Sequence, residues 1–367
     1  MIFNTLLRSA DIKVAVTQAA TDAGFDLAGI APVEDSPELD YLPLWIAAGH
    51  AGEMKYMAAR DPQGRLKRAS LANSAPWARS VVVCAINYNT AQPYSTQAQN
   101  HSGENQRRGW ISRYAWGQQD YHDAVMQRLL RVEAAVREMA RSDQFITRCY
   151  VDTGPIVERV VAKYAGVGWM GKNTCIINQK LGSWLFLGVI LTSLELAPGV
   201  PAPDRCGSCT RCIEACPTDA LIAPYQLDSN RCISYLTIEK RGEISRDEDL
   251  RSGMGRHIFG CDICQDVCPW NRKAPATSAA EFQPREELVN PPLEWLANLS
   301  AEEFRRTFKT SPLRRAKRAG IRRNAVIAMG NSGDRKFLPQ LHTLATDDDV
   351  VVSQSAVWAI QKLNSTD

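Results

Sequence analysis

Eleven cysteines occur in the chain, and eight of them lie between Cys206 and Cys268. The first run reads Cys206-x2-Cys209-x2-Cys212-x3-Cys216, followed by Pro217. The second comprises Cys232 and then Cys261-x2-Cys264-x3-Cys268, followed by Pro269. A two-residue gap lets one tight turn present two thiolates to a single iron–sulfur cubane, and the fourth cysteine of such a run ligates the other cubane. The proline stops the local turn and removes a competing amide donor. The spacing predicts two 4Fe–4S clusters with crossed ligation. Cys206, Cys209, Cys212 and Cys268 would hold one; Cys216, Cys232, Cys261 and Cys264 would hold the other. Structural zinc also uses Cys-x2-Cys pairs, and eight cysteines could close two such sites. The three-residue gap before Cys-Pro, present twice, is not a zinc-ribbon habit and favours iron. Clusters of this type move single electrons at low potential, so reductive chemistry is expected.

The second run is irregular. Cys232 lies far upstream of Cys261, and the segment between them holds Lys240, Arg241, Arg251, Arg256 and His257. That insertion is a candidate substrate-facing loop. Cys84, Cys149 and Cys175 sit in apolar, strand-like runs and read as buried, inert thiols.

Outside the cysteines, Asp152 is the residue best placed for chemistry. It ends an apolar strand and enters the turn Thr153-Gly154-Pro155. In α/β folds ligands sit at strand carboxyl ends. Flanked by Tyr150, Val151 and Ile156, its carboxyl could hold a proton through desolvation and act as a general acid. The competing reading is that Asp152 caps a helix opening at Pro155. Downstream, Gly166 to Thr174 is glycine-rich without being a Walker A loop, because Lys172 is followed by Asn173. It suggests close approach of backbone to a flat ligand or a phosphate. The segment Arg113 to His122 is aromatic and basic. Either it packs under a cofactor or it is a structural loop and helix start.

These residues need elements to position them. Asp11–Ala23 reads as a helix and Phe25–Ile30 as a strand. Helical stretches follow near Pro37–Ala48 and Glu53–Ala59. Ser80–Tyr88 is a buried strand, Asn89–Arg108 a polar and mobile loop, and Tyr121–Ala140 a strongly periodic helix. Phe145–Val151 is a strand, and Pro155 opens a helix at its first position. Thr174–Ile177 and Trp184–Thr192 are further strands, as a hairpin or as neighbours. The division is a mixed α/β domain over residues 1–203, a ferredoxin-like two-cluster domain over 204–275 and a helical region over 276–367, with proline-rich boundaries.

The helical region carries a short repeat. Asn324-Ala-Val-Ile-Ala-Met-Gly330 recurs as Ser355-Ala-Val-Trp-Ala-Ile-Gln361, the pattern of a HEAT-like helical pair. Before it, no acid occurs from Phe304 to Arg323, while arginines and lysines are frequent. The run is either a solvated helix face, which would usually intersperse both signs, or a phosphate-binding helical surface.

Composition bounds the rest. With 45% hydrophobic and 23% charged residues, the chain is of the globular class. A net charge of +3 is too small to identify a nucleic-acid partner by itself. Met1 to Ala20 lacks an apolar signal core, and the longest apolar run, Trp184 to Leu191, is too short to span a bilayer. No secretory peptide and no membrane partner are expected. Thiolate-held clusters fit a reducing cytoplasm.

Taken together, Arg113-Tyr-Ala-Trp-Gly117, Asp120-Tyr-His122, Tyr150-Val-Asp-Thr-Gly-Pro155, Gly168-Trp-Met-Gly-Lys-Asn173, the two cysteine runs and Gly260-Cys-Asp-Ile-Cys-Gln265 resemble the epoxyqueuosine reductase family. The resemblance implies a cobalamin-dependent enzyme related to reductive dehalogenases, so the α/β region would be corrinoid-binding. It implies reduction of epoxyqueuosine to queuosine at the wobble position of tRNA, the last step of queuosine biosynthesis, with two electrons and two protons in and water out. Asp152 would be the proton donor. Corrinoid contacts are expected from Arg60, Arg113, Val157, Lys172, Asn173, Thr174 and Ser234. tRNA contacts are expected from Lys240, Arg241, Arg314, Arg315, Arg318 and Arg322. The Asp-x-His-x-x-Gly signature of many corrinoid binders is absent, since Val125 stands where glycine is needed. His122 is therefore not assigned as an axial ligand. A low-potential electron donor and a monomeric, cytoplasmic protein are also expected. The alternative is a corrinoid iron–sulfur reductase of a small molecule, as in the dehalogenases. A third reading, a non-catalytic electron carrier, leaves the large N-terminal region without a purpose.

Overall fold

The computed structural model of the chain describes residues 9–98, 106–140, 145–244 and 248–365. The chain divides into two compact units, each assembled from separate segments. One is Met1–Tyr88 with His122–Cys209 and Trp270–Pro275; the other is Asn89–Tyr121 with Thr210–Pro269 and Ala276–Asp367. This differs from three consecutive domains. In the second unit, Trp110–Ile111 pairs in parallel with His257–Phe259, which draws residues 89–121 out of the N-terminal region.

The first unit is built on a four-stranded sheet. In space, Leu27–Pro32 lies beside Ser80–Asn87, then Leu185–Thr192, then Thr147–Tyr150. All three pairings are antiparallel, with Leu27 opposite Ala85, Ser80 opposite Thr192 and Tyr150 opposite Val189. All eight residues of Ser80–Asn87 are buried, which its continuous apolar run anticipates. Pro32 is tolerated because Leu27–Pro32 is an edge strand. The helix Tyr121–Ala140 buries Val125, Leu129, Val132 and Val136 at helical spacing. Gly188 admits this helix: a Cβ there would stand 2.7 Å from Leu129 Cδ1.

Three local expectations change. First, Glu53–Ala59 yields only a 3-10 turn, Lys55–Ala58. Second, Ile176–Ile177 pairs with Trp169–Met170 as a small separate hairpin, while Leu185–Thr192 joins the main sheet. Third, no helix opens at Pro155. Residues 151–156 form successive bends, and the helix is Glu158–Tyr164. The antiparallel sheet also removes the rule that pointed to Asp152, because ligand sites at strand carboxyl ends belong to parallel sheets.

In the second unit the helices Lys317–Asn331 and Val350–Ser365 pack on each other and carry the two copies of the repeat. Asn324 and Ser355, at matching positions, are both buried. Asn324 Nδ2 donates to the carbonyls of Thr237 at 2.9 Å and Ile258 at 2.7 Å, which ties the helical tail to the cysteine-bearing segment. The described part of the expected mobile loop is built into this unit. Thr90 and Ser95 are buried, and Ser95 hydrogen-bonds Asp266. Residues 99–105 of that loop lie outside the described residues.

Candidate active site and cluster cysteines

In the first unit Asp152 follows the edge strand Thr147–Tyr150 and adopts a left-handed backbone, φ 55°. Several contacts fix its loop. Arg68 Nη2 donates to Gly154 O at 2.9 Å, and the Asp152 amide donates to Glu158 Oε1 at 2.7 Å. His122 Nε2 lies 3.7 Å from Asp152 Oδ2. The side chain of Asp152 is 54% exposed, so the expected desolvation of its carboxyl is not what the fold provides. Nor does it cap a helix: Val157 precedes the helix Glu158–Tyr164 without a side-chain cap. The carboxyl that burial acts on is Glu158. Burial first, and the neighbouring Asp152 charge second, push it up to about 8. Arg68 feels both carboxylates. Neither Glu158 nor Arg68 stood out in the sequence. The available signal for Glu158 was an acid set among Ile156, Val157, Val160 and Val161.

The glycine-rich segment forms the hairpin turn rather than an open ligand cradle. A Cβ at Gly168 would stand 2.4 Å from Ile177 O, so the partner strand requires this glycine. Thr174 closes the turn at φ 65°, and its carbonyl and hydroxyl accept from Arg159 Nη1 at 2.7 and 3.1 Å. Asn173 is buried, with Oδ1 accepting from the Cys175 amide at 3.2 Å. Lys172 is turned to the first cysteine run: Nζ donates to Gly207 O at 2.7 Å and Cys209 O at 3.0 Å. Arg60 is exposed and donates to Gly64 O at 2.6 Å.

Of the expected corrinoid contacts, Arg60, Val157, Lys172, Asn173 and Thr174 belong to this unit, and Arg113 and Ser234 to the other. Arg113 lies in the interior of the second unit. It is 2% exposed, donates to the carbonyls of Thr90, Gln92 and Pro93, and lies over the rings of Tyr94 and Trp116. Its guanidinium organises the interior of its own unit. Ser234 is half-buried in the helix Ile233–Ile238, where its carbonyl accepts from Thr237 Oγ1 at 3.3 Å.

Among the cysteines of the second unit, the Cys261 thiol is pushed well up by burial first and by the adjacent Cys232 next, with Cys216 also contributing. Thiols so grouped cannot all ionise alone, whereas bound metal makes coordinating thiols ionise outright. The Cys216 sulfur also accepts from the Ala220 amide at 3.3 Å. This donor set fits an iron–sulfur cluster. The three remaining cysteines stand apart in chemistry. Cys84 is fully buried and its thiol is driven far up by burial. Cys149 is pushed up to about 12 by burial and then by Glu133. Cys175 is half-buried.

The insertion before Cys261 is largely interior. Arg251, Arg256 and His257 are buried, and Arg251 pairs with Glu243 at 2.9 Å. It is thus not the substrate-facing loop expected, except at its start, where Arg241 is exposed and Lys240 half-buried. The basic run divides likewise. Arg322 is buried, donates to Ala297 O at 2.8 Å and pairs with Asp347. Arg318 donates to Leu299 O at 2.9 Å, and Arg315 pairs with Glu239. Arg305, Arg306, Lys309, Arg314 and Lys317 are exposed.

Comparison with known proteins gives a consistent result. Residues 205–271 match the 4Fe–4S double cluster binding domain, which decides between iron and zinc. Residues 68–153 match the family described as epoxyqueuosine reductase QueG, DUF1730. The epoxyqueuosine reductase of Xanthomonas campestris pv. campestris is 38% identical over 351 residues, 95% of this chain and 96% of that protein. A solved epoxyqueuosine reductase, bound to an epoxyqueuosine-modified tRNA-Tyr stem loop, aligns with TM-score 0.84 at 32% identity, covering 97% of this chain and 91% of that one. A structure of the Bacillus subtilis enzyme, with an aspartate-bearing catalytic loop swung out of its active site, aligns with TM-score 0.83 at 32% identity and the same coverage.

Proposed function

The chain belongs to the epoxyqueuosine reductase family, and from this premise we propose that it reduces epoxyqueuosine to queuosine at the wobble position of tRNA. The observation that carries this reading is similarity along 95% of the chain to an epoxyqueuosine reductase, including the segments that hold Asp152 and the eight cysteines. The reaction takes in two electrons and two protons and releases water.

Bound cobalamin would supply strongly reducing chemistry, fed by the two clusters. Arg60, Val157, Asn173 and Thr174, all in the first unit, would help to hold it. His122 Nε2 lies 3.7 Å from Asp152 Oδ2. Lys172 serves differently, bracing the loop of Cys206 and Cys209 through two carbonyls. The chain's part in the chemistry falls to Asp152. Its carboxyl, held outward by a pinned loop, gives a proton to the substrate oxygen as carbon–oxygen bonds break. The exposed cations Arg305, Arg306, Lys309 and Arg314, together with Lys240 and Arg241, would meet tRNA phosphates along a HEAT-like helical surface. A cytoplasmic monomer receiving electrons from a low-potential donor completes the reading. Among the described residues no helix is long and apolar enough to cross a membrane.

The test is anaerobic reconstitution with iron, sulfide and cobalamin, incubation with a reductant and epoxyqueuosine-containing tRNA, then nucleoside mass spectrometry. Queuosine should form. Its absence with a fully loaded protein would reject the assignment.

A further inference from the structure

Asp152 and Glu158 together carry a further inference, which rests on the reading of Asp152 as proton donor. The Asp152 side chain is 54% exposed. Glu158, six residues on, begins the helix Glu158–Tyr164. Its Oε1 accepts the Asp152 amide at 2.7 Å, which holds the left-handed backbone of Asp152 and so the direction of its carboxyl. The Asp152 charge also bears on the Glu158 carboxyl and, after burial, is the next cause that raises it. Neighbouring carboxylates resist joint ionisation, and such a pair titrates as a unit. The other charged groups facing the pair are His122, Arg68 and Arg159.

We propose that Glu158 is the positioning residue of Asp152 and its proton source: it aims the Asp152 carboxyl through the backbone amide and returns a proton to it after donation. The reduction consumes two protons, and one carboxylic acid carries one. In the first step the Asp152 Oδ–H bond breaks as the substrate oxygen gains the proton. In the second, the Glu158 Oε–H bond breaks and its proton reaches Asp152 Oδ through solvent water, and a solvent hydronium ion reprotonates Glu158. Neither step moves electrons, which arrive through the clusters. Burial, which raises the Glu158 carboxyl to about 8, keeps that proton available at neutral pH.

Glu158→Gln keeps an oxygen for the Asp152 amide and removes the proton; Glu158→Ala removes both. Infrared difference titration of the full-length, cluster- and cobalamin-loaded protein reads protonated carboxyls without turnover. Queuosine formation against pH reads the reaction. The wild type should show a carboxylic acid band that titrates on the alkaline side of neutrality, missing in Glu158→Gln. Turnover of that variant should fall at least about tenfold, less than the 10²–10⁴ of a direct acid, and lose the matching limb of its pH profile, with KM for tRNA unchanged. Glu158→Ala should fall further, since aim is lost too. An infrared titration of Glu158→Gln identical to wild type overturns the proposal. If the wild type makes no queuosine, the proposed function fails instead, and the titration still decides whether Glu158 holds a proton beside Asp152.

Discussion

The Asp152 amide donates to the Glu158 carboxyl at 2.7 Å, so in this loop Asp152 is served by a side chain instead of serving a helix. A capping aspartate uses its own oxygen on amides two or three residues ahead. Here the helix begins six residues later, behind Val157. The Asp152 carboxyl lies 3.7 Å from His122 Nε2.

Asp152→Asn tests that chemistry. Asparagine is nearly isosteric and can keep the left-handed backbone, but it has no proton to give. Turnover should fall by roughly 10²–10⁴, with iron and cobalamin content as in wild type. Wild-type-like queuosine formation would take Asp152 out of the mechanism.

Cluster content is the most direct prediction. Anaerobically reconstituted protein should hold about eight irons. Cys264→Ala should lose the cluster at its site and bring iron to about four. Cys84→Ala should leave iron unchanged, because Cys84 is buried in the central strand Ser80–Asn87. Stoichiometric zinc in place of iron would contradict the ligand assignment.

The basic run should separate into two effects. Replacing exposed Arg305, Arg306, Lys309 and Arg314 with alanine should weaken tRNA binding and flatten its salt dependence, by about one unit of slope for each phosphate no longer neutralised. Arg322→Ala should instead lower thermal stability, on the order of 3 kcal/mol, because it breaks a buried pair with Asp347 and leaves the Ala297 carbonyl without its donor. Equal salt slopes for wild type and the surface quadruple variant would return those cations to an ordinary solvated face.

His257 predicts acid lability. Burial holds its imidazole neutral and pushes it down to about 4 from an ordinary 6.5. Between those values the unfolded chain binds a proton that the folded chain refuses. The stability contribution is therefore complete above about 6.5 and is lost as pH falls through about 4. Melting temperature followed from pH 7 to 4 should decline more steeply in wild type than in His257→Gln. Parallel curves would assign acid lability to other groups.

What the sequence determined by itself is what depends on short-range spacing. Cys206 to Cys216 and Cys261 to Cys268 specify cluster ligation because turns of two and three residues set where thiolates point. The apolar run Ser80–Asn87 and the period of Tyr121–Ala140 locate a central strand and a helix because burial repeats every residue in one and every third or fourth in the other. The tertiary structure decided which polar groups meet. Charge in a sequence carries no sign of exposure, so Arg314 on the surface and Arg322 paired with Asp347 in the interior look alike in one basic run. Arg113, in an aromatic and basic motif, is spent on carbonyls around Thr90. Glu158 becomes a partner of Asp152 only because a left-handed residue and a delayed helix fold six residues back on themselves. No periodicity encodes that bend; Arg68 and Glu158 hold it by hydrogen bonds from outside the turn.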